Sequence, residues 1–84
     1  MDIVEKVVTQ QLNNLVSESR KKLIRDQALL KEDLALDSLR LITLFTNSIQ
    51  VLNIDISAFE DSELFNIHTV EGLKRTLRSK KKSI

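Results

Sequence analysis

No cysteine occurs among the 84 residues, which excludes disulfides, thiolate zinc sites and cysteine nucleophiles. Proline is absent as well, and Gly72 is the one glycine. β-Hairpins normally turn on Gly or Asn-Gly pairs, so a strand-rich fold would be poorly punctuated here. Trp and Tyr are missing, and three phenylalanines supply all the aromatic surface. A lone histidine, His68, leaves little basis for Ser-His catalysis or a multi-histidine metal site. No apolar run approaches the ~18 residues of a membrane span, and the N-terminus lacks a signal-peptide pattern. A cytoplasmic setting is the expectation.

What is present fits one small domain: 42% of residues are hydrophobic and 30% charged. The formal charge of +1 conceals a segregation. Arg20, Lys21, Lys22 and Arg25 make a compact basic cluster. Residues 26–71 then carry nine acids against two bases, Lys31 and Arg40. Six more bases fall between Lys74 and Lys82. An acidic middle is bracketed by basic segments.

Periodicity predicts an all-α chain. Asp2 can cap a first helix, with Glu5 three residues on completing an approximate capping box. Ile3, Val4, Val7, Val8, Leu12, Leu15 and Val16 follow as one apolar stripe. From Ser17 to Leu36 the period is lost, yet Leu23, Ile24, Leu29, Leu30, Leu34 and Leu36 recur, which predicts an ordered loop packed across the bundle. A second helix starts at Asp37-Ser38 and ends near Asn53. Its apolar band is wider than one packing face needs, so part of it is expected to be exposed for a partner. Ile54 and Ile56, two apart, are expected to point the same way. Residues 62–65 suggest one short helical turn. Thr69 is the expected cap of a last helix with Val70, Leu73 and Leu77 in line, and Lys74, Arg75 and Arg78 are expected to complement its negative pole. Leu41, Leu44, Leu52, Ile56, Leu64, Ile67, Val70 and Leu73 are the expected core. The domain is placed at residues 1–79, with 80–84 as a frayed basic tail. His68 reads as a surface residue preceding the helix, with no partner for metal binding.

Taken alone, Ser38 reads as a helix cap and Asp37 as a first-turn charge. Their surroundings say more. Ile24, Leu30, Glu32-Asp33-Leu34 and Asp37-Ser38-Leu39 occur in an order and spacing that resembles the acyl carrier protein family. The likeness continues through Ile54-Asp55-Ile56 to Ile67-His68-Thr69-Val70 and covers nearly the whole chain. It implies a four-helix acyl-carrier-like bundle with a long loop between helices 1 and 2 and a short third helix. It also implies that Ser38 receives 4′-phosphopantetheine from coenzyme A, and that Asp37 helps present Ser38 to a phosphopantetheinyl transferase. Leu39, Arg40, Ile42 and Thr43 would then be docking residues for acyl-loading and acyl-transferring enzymes. Part of the core, between the second helix and the third-helix region, would open to shelter an acyl chain. The protein would be a monomeric carrier rather than an enzyme.

Two departures bear on specificity. Ala35 stands where the family usually has glycine, which either alters the approach to Ser38 or signals a negative φ there. The second helix, typically acidic in fatty-acid carriers, exposes Arg40, Thr43, Thr46, Asn47 and Gln50 instead. That points to a specialised lipid or secondary-metabolite pathway, with an aminoacyl, peptidyl or polyketide carrier as the alternative. A small basic nucleic-acid-binding protein is a remote reading, because aromatic stacking residues and a recognition cluster are both missing. A purely structural interaction domain is the remaining one.

Overall fold

The computed structural model describes residues 2–81. Helix α1 (Ile3–Leu15) is followed by a 3-10 turn (Glu18–Leu23), α2 (Ser38–Val51), a second 3-10 turn (Ile56–Ala58), the short α3 (Asp61–Phe65) and α4 (Val70–Lys80). Among the described residues there is no β-strand, only an isolated antiparallel bridge between Leu29 and Thr69. The fold is all-α.

Most of the predicted stripes form the core, but Ile3 at the start of α1 is 51% exposed and Leu15 is half-buried. Val4, Val7, Val8 and Leu12 of α1 are buried against Leu41 and Leu44 of α2 and Val70, Leu73 and Leu77 of α4. α1 packs on both of the other long helices. Its start is capped by the Asp2 carboxylate, which accepts from the Glu5 N–H at 2.8 Å. α2 ends as a Schellman motif: Ile54 N–H bonds the Ile49 carbonyl at 3.0 Å and Asn53 N–H bonds that of Gln50 at 3.1 Å. Asn53 sits at φ 58°, a left-handed conformation that asparagine tolerates better than most residues.

The segment joining α1 and α2 is ordered because α4 needs it. The first N–H groups of a helix have no acceptor within the helix. Here Val70 N–H bonds the Ala28 carbonyl at 3.1 Å and Glu71 N–H bonds that of Asp26 at 2.9 Å. Gly72 N–H is taken by the Thr69 hydroxyl oxygen at 3.0 Å. Leu30 N–H bonds the His68 carbonyl, which ties the segment to the start of α4, and Arg20 bonds the Asp33 carbonyl, which closes the segment on itself. Within the segment Ala28, Leu30, Leu34 and Leu36 are all buried. That agrees with the expected packed loop.

Three expectations need correction. Ile54 is half-buried against the core but Ile56 is 62% exposed, so the two do not point the same way and Ile56 is not core. The cause is local: the Asp55 carboxylate accepts from Ser57 N–H at 3.0 Å and caps a 3-10 turn, which breaks the two-residue alternation. Lys74 does not serve the helix end. It is buried in mid-helix, its ammonium 2.8 Å from Asp26 and 3.6 Å from Glu5. Arg75 pairs with Glu71 one turn back, while Arg78 in the last turn pairs with Asp2. Leu64 is only half-buried. α4 itself continues to Lys80, whose ammonium lies 3.0 Å from Glu63 and 5.9 Å from the centre of the Phe59 ring. Lys80 of the expected frayed tail 80–84 is thus helical, and 82–84 lie outside the described residues.

Candidate functional site

The start of α2 reverses the simple reading of Asp37 and Ser38. Asp37 is the cap: its backbone is extended, and its carboxylate accepts from the Arg40 N–H at 2.8 Å. Ser38 is the first helical residue, exposed, and its hydroxyl is not spent on capping. The N–H groups of Ser38 and Leu39 precede the first residue able to bond back within the helix, so this end carries partial positive charge.

Ala35 has φ 55°, so the negative-φ alternative is wrong and an L-residue holds a left-handed backbone position. This conformation lets Leu36 N–H reach back to the Leu30 carbonyl at 3.1 Å. Leu34 and Leu36 are thereby both buried while Ala35 is exposed between them. An L-residue there costs roughly 1–2 kcal/mol.

Beside Ser38 opens a cleft of about 190 Å³. Its apolar walls include Leu41, Ile42 and Phe45 from α2, Leu64 from α3, and Ile67. Ser38, Lys31, Glu32 and His68 complete its lining and are all exposed. The cleft lies between α2 and the α3 region, where an opening of the core was expected. A wider hollow of about 520 Å³, lined by Asn53, Asp55, Lys80, Lys81 and their neighbours, is more polar and lies at the opposite end of α2.

Of the expected docking residues, Leu39 and Ile42 are 72% and 60% exposed, and Arg40 is exposed as well. The Thr43 hydroxyl donates to the Leu39 carbonyl at 3.0 Å and the residue is half-buried. Of this set Ile42 alone lines the cleft. Sequence reasoning missed Lys31, Glu32 and His68 as cleft residues. Their place depends on the Leu30–His68 backbone bond, for which the local sequence carries no signal.

Among the described residues no three carboxylate or histidine side chains come together as a metal site. No helix of the described chain is long and apolar enough to cross a membrane. Neither a scan against protein-family models nor a search of the curated proteins gives a match for this chain.

Proposed function

We propose that this chain is an acyl carrier protein, bearing acyl thioesters on a 4′-phosphopantetheine arm attached to Ser38. The observation that carries the reading is the position of Ser38, an exposed hydroxyl on the first turn of α2 at the mouth of an apolar cleft. The all-α order of elements supports it: α1, a long packed segment, α2, a short α3 and α4.

The residues present fit the group. The free N–H groups at the start of α2 suit the phosphodiester anion that attachment would create at Ser38. Lys31 adds a cation nearby, and the walls of the cleft offer an apolar shelter. When bound, the arm supplies a thiol, the nucleophile that this cysteine-free chain lacks. Asp37 fixes the helix start through its bond to Arg40 N–H and so presents Ser38 outward. Among the described residues no side chain hydrogen-bonds the Ser38 hydroxyl to activate it. A phosphopantetheinyl transferase does that, and loading and transferring enzymes handle the cargo in the cytoplasm.

The outward face of α2 favours a specialised pathway, or the aminoacyl, peptidyl or polyketide variant of the same role. Arg40 is its one charged residue, and Leu39 and Ile42 stand out from it. A nucleic-acid role is disfavoured because Lys74, Arg75, Arg78 and Lys80 are engaged with acids of the same chain. The test is intact-mass measurement after incubation with coenzyme A and a broad-specificity transferase. A phosphopantetheine gain that disappears in Ser38→Ala is expected; no gain on the intact chain would sink the reading.

A further inference from the structure

Lys31 and His68 reach the rim of the Ser38 cleft from two segments that are bonded to each other. Leu30 N–H bonds the His68 carbonyl at 2.9 Å, and Leu29 and Thr69 form an antiparallel bridge. The turn that carries Lys31 is fixed as well. Asp33 and Leu34 N–H groups both bond the Leu29 carbonyl, and the Asp33 carboxylate accepts from Leu29 N–H at 2.9 Å. Two exposed bases thus stand on held backbone around a cleft of about 190 Å³, only a few water molecules across. The neighbouring acids are mostly engaged elsewhere: Asp33 on Leu29, Asp37 on Arg40 N–H, Asp26 on Lys74 and Glu71 of α4 on Arg75. Glu32 is the one carboxylate in the lining, and among the described residues α2 and α3 turn only uncharged side chains into the cleft. No ion pair among the described residues engages Lys31 or His68.

We propose that, once Ser38 carries its arm, Lys31 and protonated His68 seat the phosphodiester anion at the rim of the cleft, and that the hold weakens as His68 loses its proton. This seat exists only if Ser38 bears the arm, so it rests on the carrier reading. A protonated imidazole is a cation that donates from both ring nitrogens, whereas the neutral ring keeps one donor and no charge. Lysine titrates far above the histidine range, so His68 alone makes the hold depend on pH. Glu32 faces the same cleft and opposes the anion, which leaves two bases against one acid. The arm is therefore held at its root below the histidine range, about 6.5 for a free side chain, and released above it.

Phosphorus NMR of the full chain bearing phosphopantetheine, titrated between about pH 5 and about pH 8, is the experiment. A phosphodiester has no proton of its own to exchange in that range, so its resonance moves only when a neighbouring group titrates. His68 is the one histidine, and the N-terminal amine is the other group whose ordinary value falls there. A phosphorus shift that follows the histidine range and disappears in His68→Gln is expected. Lys31→Gln should keep the titration and displace the resonance at both ends of the range. Because both side chains are exposed, neither change threatens folding. A resonance that stays flat with pH, a titration that persists in His68→Gln, or a resonance unmoved by Lys31→Gln would overturn the seat, while the mass gain at Ser38 keeps the carrier reading. Absence of that mass gain would overturn both.

Discussion

Helices α2 and α4 sit on the same core and solve opposite problems. α4 carries five charged residues in its eleven, yet its bases are turned inward or paired: Lys74 with Asp26 and Glu5, Arg75 with Glu71, Arg78 with Asp2, Lys80 with Glu63. α2 has Arg40 alone among fourteen residues and leaves Leu39, Ile42 and Val51 exposed. The more charged helix is thus the more self-contained one. The basic C-terminal segment, conspicuous in the sequence, serves to hold α4 against α1, the loop and α3. The nearly neutral helix is the one with surface to offer a partner.

Truncating one leucine on each helix breaks this comparison most sharply. Leu73 is almost fully buried between α4 and the core, so Leu73→Ala should destabilise the chain by about 2–5 kcal/mol. Leu39→Ala should change stability by less than about 0.5 kcal/mol, because the side chain stands in water. Urea unfolding of both variants measures the difference. Equal losses would mean that Leu39 is packed and that α2 has no free face. On the proposed carrier role, transferase kinetics should show the reverse order, with Leu39→Ala the more damaging once the weaker fold of Leu73→Ala is allowed for.

How the chain reaches each helix differs too. Thr69 leads into α4 through extended backbone at φ −122° and caps it with its hydroxyl. α2 is reached through Ala35 at φ 55°. Glycine relieves the left-handed penalty of about 1–2 kcal/mol but brings back about 0.5–1 kcal/mol of unfolded-chain entropy. Since the exposed Ala35 methyl contributes no packing, Ala35→Gly should raise stability by about 0.5–1 kcal/mol. For a domain of this size that is a gain of about 2–8 °C in melting temperature. Calorimetry that finds a loss would mean that Ala35 has a smaller penalty than its φ implies.

The stripes of α1 and α4 were legible because each residue's burial follows from a 3.6-residue period alone. Val4, Val7, Val8 and Leu12, and likewise Val70, Leu73 and Leu77, are buried as that period demands. Ser38 was legible as an exposed residue at a helix start, though which of Asp37 and Ser38 does the capping was not. Either residue type can cap, and the choice is made by backbone torsions. Ile56 was misread because a capped 3-10 turn replaces the alternation of an extended connector. Lys74 was misread because its partner Asp26 lies 48 positions away in sequence. The same holds for Lys31, Glu32 and His68, which one non-local backbone bond brings to a common cleft.

The inward pairing of α4 can also be titrated, with the smallest effect of the three. The Asp2 carboxyl is held below its ordinary value, first by the Glu5 N–H it accepts and then by Arg78, whose Nε lies 2.9 Å away. Glu63 is lowered in the same way, by the Glu60 N–H and then by Lys80. A carboxyl with a depressed folded-state pKa stabilises the fold fully above its unfolded value. That contribution disappears as pH falls through the folded value. Asp2→Asn keeps an oxygen for the Glu5 N–H and removes the charge that meets Arg78. The variant should therefore be slightly less stable than the native chain near neutral pH, and the gap should close below the ordinary carboxylate value of 3.8. Urea unfolding at about pH 7 and about pH 3 measures both gaps. A gap that stays constant across that range would assign the stabilisation to the cap bond alone. Arg78 would then be as free for a partner as Arg40, and the contrast between the two helices would lose one of its four paired bases.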